Sequence, residues 1–137
     1  MTNINTNQSK WFFNINLNNI DIIDNLGPHG KRLYHETLDA AYGGSWASVI
    51  ILCATLIDVV ANEDTGSIKK VNGIIVNKAF TNKDIFWLRN KRNSIIHYIS
   101  PVEGMMGGIK QNEILAKDAK RSFEIFIHTI QFLFKDL

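Results

Sequence analysis

SWASVIILCATLIDVV, residues 45–60, decides the fold. Within it Trp46, Val49, Ile50, Cys53, Ile57 and Val60 recur at i, i+3, i+4, i+7, i+11 and i+14, the period of an amphipathic helix held over four turns. The β-branched residues favour a strand locally, but the length of the run and its helical spacing outweigh that preference. The stretch is short for a membrane span and carries Asp58 near its end, which suits a helix buried in a protein core.

Downstream, Thr81 or Asn82 can cap a second long helix, with Asp84 near its positive dipole end. Its apolar stripe is Ile85, Leu88, Ile95, Ile96 and Ile99, and Pro101 predicts the stop because proline disfavours helix in the residue before it. PVEGMMGG, residues 101–108, reads as an exposed, mobile loop. From about Asn112 to Asp136, Leu115, Ala119, Phe123, Phe126, Ile130 and Leu133 mark a long final helix. Upstream, Leu33, Thr37, Leu38 and Ala41 mark a helix after the Gly27-Pro28 break, and a short helical turn is predicted over residues 18–26. Residues 62–67 read as a polar loop, and the following IKKVNGIIVNKAF as a weak helix or an irregular excursion. The expected fold class is all-α, a four-to-five-helix up-and-down bundle over residues 28–137. Residues 1–27 form an Asn-rich arm that is partly docked on it.

A chain of 137 residues with 45% hydrophobic content supplies one core, and two domains would be too small. The single cysteine, Cys53, excludes an internal disulfide framework and a Cys-based zinc site, and packs as a small buried thiol. The N-terminus has no continuous apolar segment or small-residue cleavage site, so the expectation is a soluble, cytoplasmic protein without membrane contact. Charge is uneven. Residues 1–66 hold three Lys/Arg against seven Asp/Glu, residues 67–109 seven against two, and residues 110–137 five against four. The basic middle third suits a polyanion, although a solvated lysine-rich surface has the same composition.

At about 100° per residue, Arg92 falls in the middle of the stripe formed by Leu88, Ile96 and Ile99. A guanidinium there either pairs with a carboxylate on a facing helix, Asp58 for example, or lines a cleft that an anion can reach. Arg89, Asn93 and His97 follow one another at i, i+4 spacing, so one face presents a cation, an amide and an imidazole. Arg92 lies about 140° from His97 around an ideal helix, so its long side chain must reach across, or the helix must bend near its end. Histidines 29, 35 and 128 have no partners at ligand spacing and read as structural or solvent-facing. Trp11, Trp46 and Trp87 read as packing anchors.

The string LRNKRNSIIHY, residues 88–98, resembles the motif of the HEPN family: an arginine, a polar residue such as asparagine, three to five more residues and a histidine, on a helix of a small bundle. The upstream AAYGGSWASVIILCATLIDVV is similar to the family's second helix, and the resemblance covers about residues 28–136. It implies a metal-independent endoribonuclease of a toxin, phage-defence or RNA-processing system. Arg92 and His97 are then the catalytic pair, Asn93 assists them, and Arg89, Lys91 and Tyr98 bind RNA or line the cleft. An imidazole moves protons near neutrality and a guanidinium stabilises phosphate charge, so neither a metal nor another cofactor is expected. The resemblance also implies a homodimer whose two motifs face each other, with RNA as substrate and an antitoxin or other protein as a further partner. The tyrosine directly follows His97, whereas the toxin branch modified by a nucleotidyltransferase antitoxin has it two residues after the histidine. Two other readings stay open: a catalytically silent HEPN-like dimer that binds a nucleotide or partner protein, and a helical scaffold associating through its Phe-rich last helix.

Overall fold

The computed structural model describes residues 11–63 and 71–134. Among them are seven helices and no strand: α1 (Trp11–Asn18), α2 (Ile20–Ile23), α3 (Pro28–Tyr42), α4 (Trp46–Asn62), α5 (Gly73–Phe80), α6 (Lys83–Ile96) and α7 (Ile109–Phe134). The all-α class is as expected, with two more helical segments than the largest number expected, because α1 and α2 are both helical and α5 is a regular helix. The polar loop falls largely at residues 64–70 and the end of the last helix at 135–137, both outside the described residues. No helix among the described residues is long and apolar enough to cross a membrane.

Helix α4 is the centre. All six residues of its stripe are buried, joined by Ala54 and Leu56, and α3, α6 and α7 pack around it. Burying side chains of this size contributes about 1.5–3 kcal/mol each, which makes α4 the element that the others fold onto. Helix α3 is turned back onto α4 by Gly43-Gly44-Ser45, and Gly44 holds φ +69°, a left-handed conformation that suits glycine. Helix α7 contributes Ala119, Phe123, Phe126, Ile130 and Leu133 to the same core.

The N-terminal segment joins that core. Phe12 and Leu26 are buried in it, and Trp11 stacks on Trp46 with ring centroids 6.4 Å apart. Asn16 accepts a hydrogen bond from the buried Tyr34 hydroxyl at 2.7 Å, and Asn19 accepts one from Gln131 Nε2 at 2.7 Å. Residues 11–26 therefore share one packed interior with the rest of the described chain.

Capping follows chemistry that is local at some helices and distant at one. Asn72 caps α5 by accepting from the Ile74 N–H, and Asn82, rather than Thr81, caps α6 by accepting from the Ile85 N–H. Helix α3 begins at Pro28 with no side-chain cap of its own. Glu63, just beyond the end of α4, supplies it: the carboxylate accepts from the N–H groups of His29 at 2.9 Å and Gly30 at 3.1 Å.

Two expectations about the end of α6 are overturned. The helix stops at Ile96, and the chain leaves it at His97 (φ −116°, ψ 82°), whose N–H still bonds to the Asn93 carbonyl. Ile96 and Ile99 are consequently 48% and 91% exposed, and the buried stripe ends with Leu88 and the half-buried Ile95. The segment 101–108 is also not uniformly exposed. Gly104 is buried, its N–H donating to Gln111 Oε1 at 2.6 Å, while Glu103 carbonyl oxygen accepts from Lys91 Nζ at 2.9 Å.

Candidate active site

Helix α6 lies against the last turns of α4, and its residues 89 and 92, three apart, share the face that meets them. Both arginines reach one carboxylate. Arg89 Nη2 lies 3.1 Å from Asp58 Oδ1 and Arg92 Nη1 lies 3.1 Å from Asp58 Oδ2. All three side chains keep contact with solvent, at 34%, 22% and 40% exposure respectively for Arg89, Arg92 and Asp58. Two guanidinium groups on one carboxylate leave the cluster with a surplus of one positive charge, open to an anion from outside.

Asn93 connects this cluster to the histidine. Its Oδ1 accepts from Arg92 Nε at 3.3 Å, and its backbone carbonyl accepts the His97 N–H at 2.9 Å. The imidazole itself has no hydrogen-bond partner among the described residues and is exposed. The Asn93 amide makes no hydrogen bond to the ring, although the two residues stand at i, i+4; its oxygen serves Arg92 instead. Because the helix ends at Ile96, the ring direction is set by the non-helical backbone of residue 97 and not by the ideal helical projection.

An open cleft of about 730 Å³ lies beside His97, walled by α6 on one side and residues 99–103 on the other. Asn90, Lys91, Asn93, Ser94 and His97 line it from the helix. Lys91 is not free there: its side chain is 13% exposed, and its ammonium pairs with Asp118 of α7 at 2.9 Å while donating to the Glu103 carbonyl. Of the six residues singled out from the sequence, Asn93, His97 and Lys91 line the cleft. Arg89 and Arg92 sit on Asp58 outside that lining, and Tyr98, 74% exposed, is outside it too.

Sequence reasoning missed Asp118, Glu103 and Asn90. Asp118 carries no local signal, since it meets Lys91 only through the packing of α6 on α7. Asn90 could have been found, because it shares a helical face with Asn93, Ser94 and His97 at i, i+3, i+4 and i+7. His29 also proves to have a partner, its Nδ1 lying 2.7 Å from Glu63 Oε2. No group of three or more His, Cys, Asp or Glu among the described residues is arranged to hold a metal ion. No protein-family model, curated protein or solved structure matches this chain.

Proposed function

We propose that this chain is a metal-independent endoribonuclease, built as an up-and-down HEPN-like bundle and acting as a symmetric dimer in the cytoplasm. The observation that carries the reading is the charge surplus at Arg89, Arg92 and Asp58, joined through Asn93 to an exposed His97 at a helix end. The reading seats a phosphodiester on the guanidinium face and requires its ribose to reach the imidazole of His97. In the reaction, a base removes the 2′-hydroxyl proton, the 2′-oxygen bonds to the adjacent phosphorus, and the bond from phosphorus to the 5′-oxygen breaks. An acid returns a proton to that 5′-oxygen. The products are a 2′,3′-cyclic phosphate and a 5′-hydroxyl, with no net change in atoms. Each chain carries one such histidine, so His97 from two copies supplies base and acid. Arg92 stabilises the charge that develops on the phosphoryl oxygens. A toxin, a phage-defence nuclease or an RNA-processing factor uses this chemistry.

A second reading is favoured by one specific observation: Arg92 and Arg89 are both already engaged by Asp58. In that case the arginines hold α6 on α4, and the protein is a catalytically silent dimer that binds a nucleotide or a partner protein.

Cleavage of RNA in the presence of a chelator separates the two. His97→Ala should lose roughly 100-fold or more of that activity, the usual scale for removing a general acid or base, with little change in melting because the ring is exposed and has no partner among the described residues. Wild-type protein that cuts no RNA under these conditions, or a His97→Ala variant that cuts equally well, makes the ribonuclease reading untenable.

A further inference from the structure

The cleft beside His97 differs in chemistry from the arginine cluster. Its one Lys or Arg among the described residues, Lys91, is held by Asp118 and the Glu103 carbonyl, and Glu103, an acidic residue, belongs to the opposite wall. A phosphate is therefore a poor ligand for it. What stays unpaired along α6 is amide and hydroxyl chemistry. The Asn90 side chain has no hydrogen-bond partner among the described residues. Asn93 commits its oxygen to Arg92, and its NH₂ group has no hydrogen-bond partner among the described residues. Ser94 donates to the Asn90 carbonyl at 2.9 Å, so its oxygen can still accept. Pro101 and Val102 add apolar surface on the facing wall. A volume of about 730 Å³ lies within the roughly 300–1,000 Å³ usual for small-ligand sites.

We propose that this cleft is a base-reading subsite, which takes an unstacked nucleobase of single-stranded RNA next to the scissile phosphate and prefers a base bearing an exocyclic amino group to uracil. The inference rests on the ribonuclease reading. A flat ring with apolar faces and a donor-and-acceptor edge matches walls that combine proline and valine with amides. Selectivity comes from Glu103. Its carboxylate accepts from Gln111 Nε2 at 3.4 Å, its carbonyl accepts from Lys91, and the next N–H is tied to Gln111 Oε1, so the wall is held in place before a ligand arrives. A carboxylate accepts from the amino group of cytosine or adenine, whereas the two carbonyl oxygens flanking the uracil N–H repel it. The site is thereby divided in function: guanidinium groups for phosphate, the cleft for the base. The entry of a base from a stacked duplex is disfavoured, which restricts the substrate to loops and single strands.

The test uses 2′-fluoro hexamers of A, C or U, which lack the attacking hydroxyl and cannot be cut, with wild type and Glu103→Gln. Affinities are read by fluorescence anisotropy and the binding face by amide shifts in ¹⁵N NMR spectra. Wild type should bind the A and C hexamers at least about fivefold more tightly than the U hexamer. Amide shifts should fall on Asn90, Ser94 and Val102. Glu103→Gln, whose amide can donate to a uracil carbonyl, should reduce the preference to about twofold or less. Equal wild-type affinities, an unchanged preference in the variant, shifts confined to another face, or no binding of any hexamer each overturn the subsite. Chelator-resistant cleavage of ordinary RNA is measured in parallel. Base-selective binding without cleavage keeps the subsite and removes the nuclease, whereas cleavage without selectivity does the reverse.

Discussion

Arg92 meets Asp58 across the contact between α6 and α4, Nη1 to Oδ2 at 3.1 Å, and shares that carboxylate with Arg89. The arrangement predicts different outcomes for its members. Asp58→Ala leaves two guanidinium groups facing each other without a counter-charge and should cost about 1–3 kcal/mol in urea denaturation. Arg92→Ala should cost less, because Arg89 still holds the carboxylate.

Arg92→Lys separates support from catalysis. An ammonium can keep the pair with Asp58 but lacks the planar fork by which Arg92 holds the carboxylate through Nη1 and Asn93 through Nε. Stability should stay within about 1 kcal/mol of wild type, while chelator-resistant RNA cleavage falls at least about tenfold. Undiminished cleavage by this variant places the arginine in a purely structural role.

Glu63 links stability to pH. Burial raises its pKa, but the N–H and ring of His29 and the N–H of Gly30 outweigh that effect and hold it below the ordinary glutamate value. A carboxylate with a depressed folded-state pKa contributes stability above its unfolded pKa, and that contribution is lost as pH falls through the folded value. Wild type should therefore exceed Glu63→Gln by about 0.5–2 kcal/mol, the usual scale for a helix cap, at pH above about 5. The gap should close in more acidic buffer, as measured by urea titrations across pH.

Gly104 has φ +97°, and a Cβ built there would stand 3.2 Å from the backbone N and Cα of Leu115. Gly104→Ala combines left-handed strain with a clash against a helix that cannot yield locally, so it should destabilise by about 2–4 kcal/mol. Gly107→Ala is the control, with φ +82° but nothing within 4 Å of the added carbon. It should lose only about 1–2 kcal/mol. Equal losses for the two variants remove the steric part of the argument.

Cys53 is wholly buried on α4, and burial pushes its thiol pKa up, away from the reactive thiolate. A thiol reagent such as a disulfide dye should label it only as fast as the protein unfolds. Rapid labelling in native buffer contradicts this placement.

Much of the candidate site was legible because Arg92 stands out on an apolar face, and Asp58 was the carboxylate at hand on the neighbouring helix. The cleft was not legible. Its shape depends on where α6 stops, and the projection of Ile96 and Ile99 onto the core assumed one more turn of helix than forms. Its far wall depends on Lys91, Gln111 and Glu103 holding one another, contacts that no periodic pattern encodes.

By itself the sequence determined the all-helical class, the long helices and the central place of α4, because the burial of Trp46, Val49, Ile50, Cys53, Ile57 and Val60 follows a period that the chain repeats every few residues. Only the tertiary structure decided that Glu63 caps α3, that Asp118 occupies Lys91 and that two arginines converge on Asp58. Each of these pairs lies 27 or more residues apart in the chain. Such partners are chosen by how helices cross and not by local periodicity, so their chemistry emerges only once the core has packed.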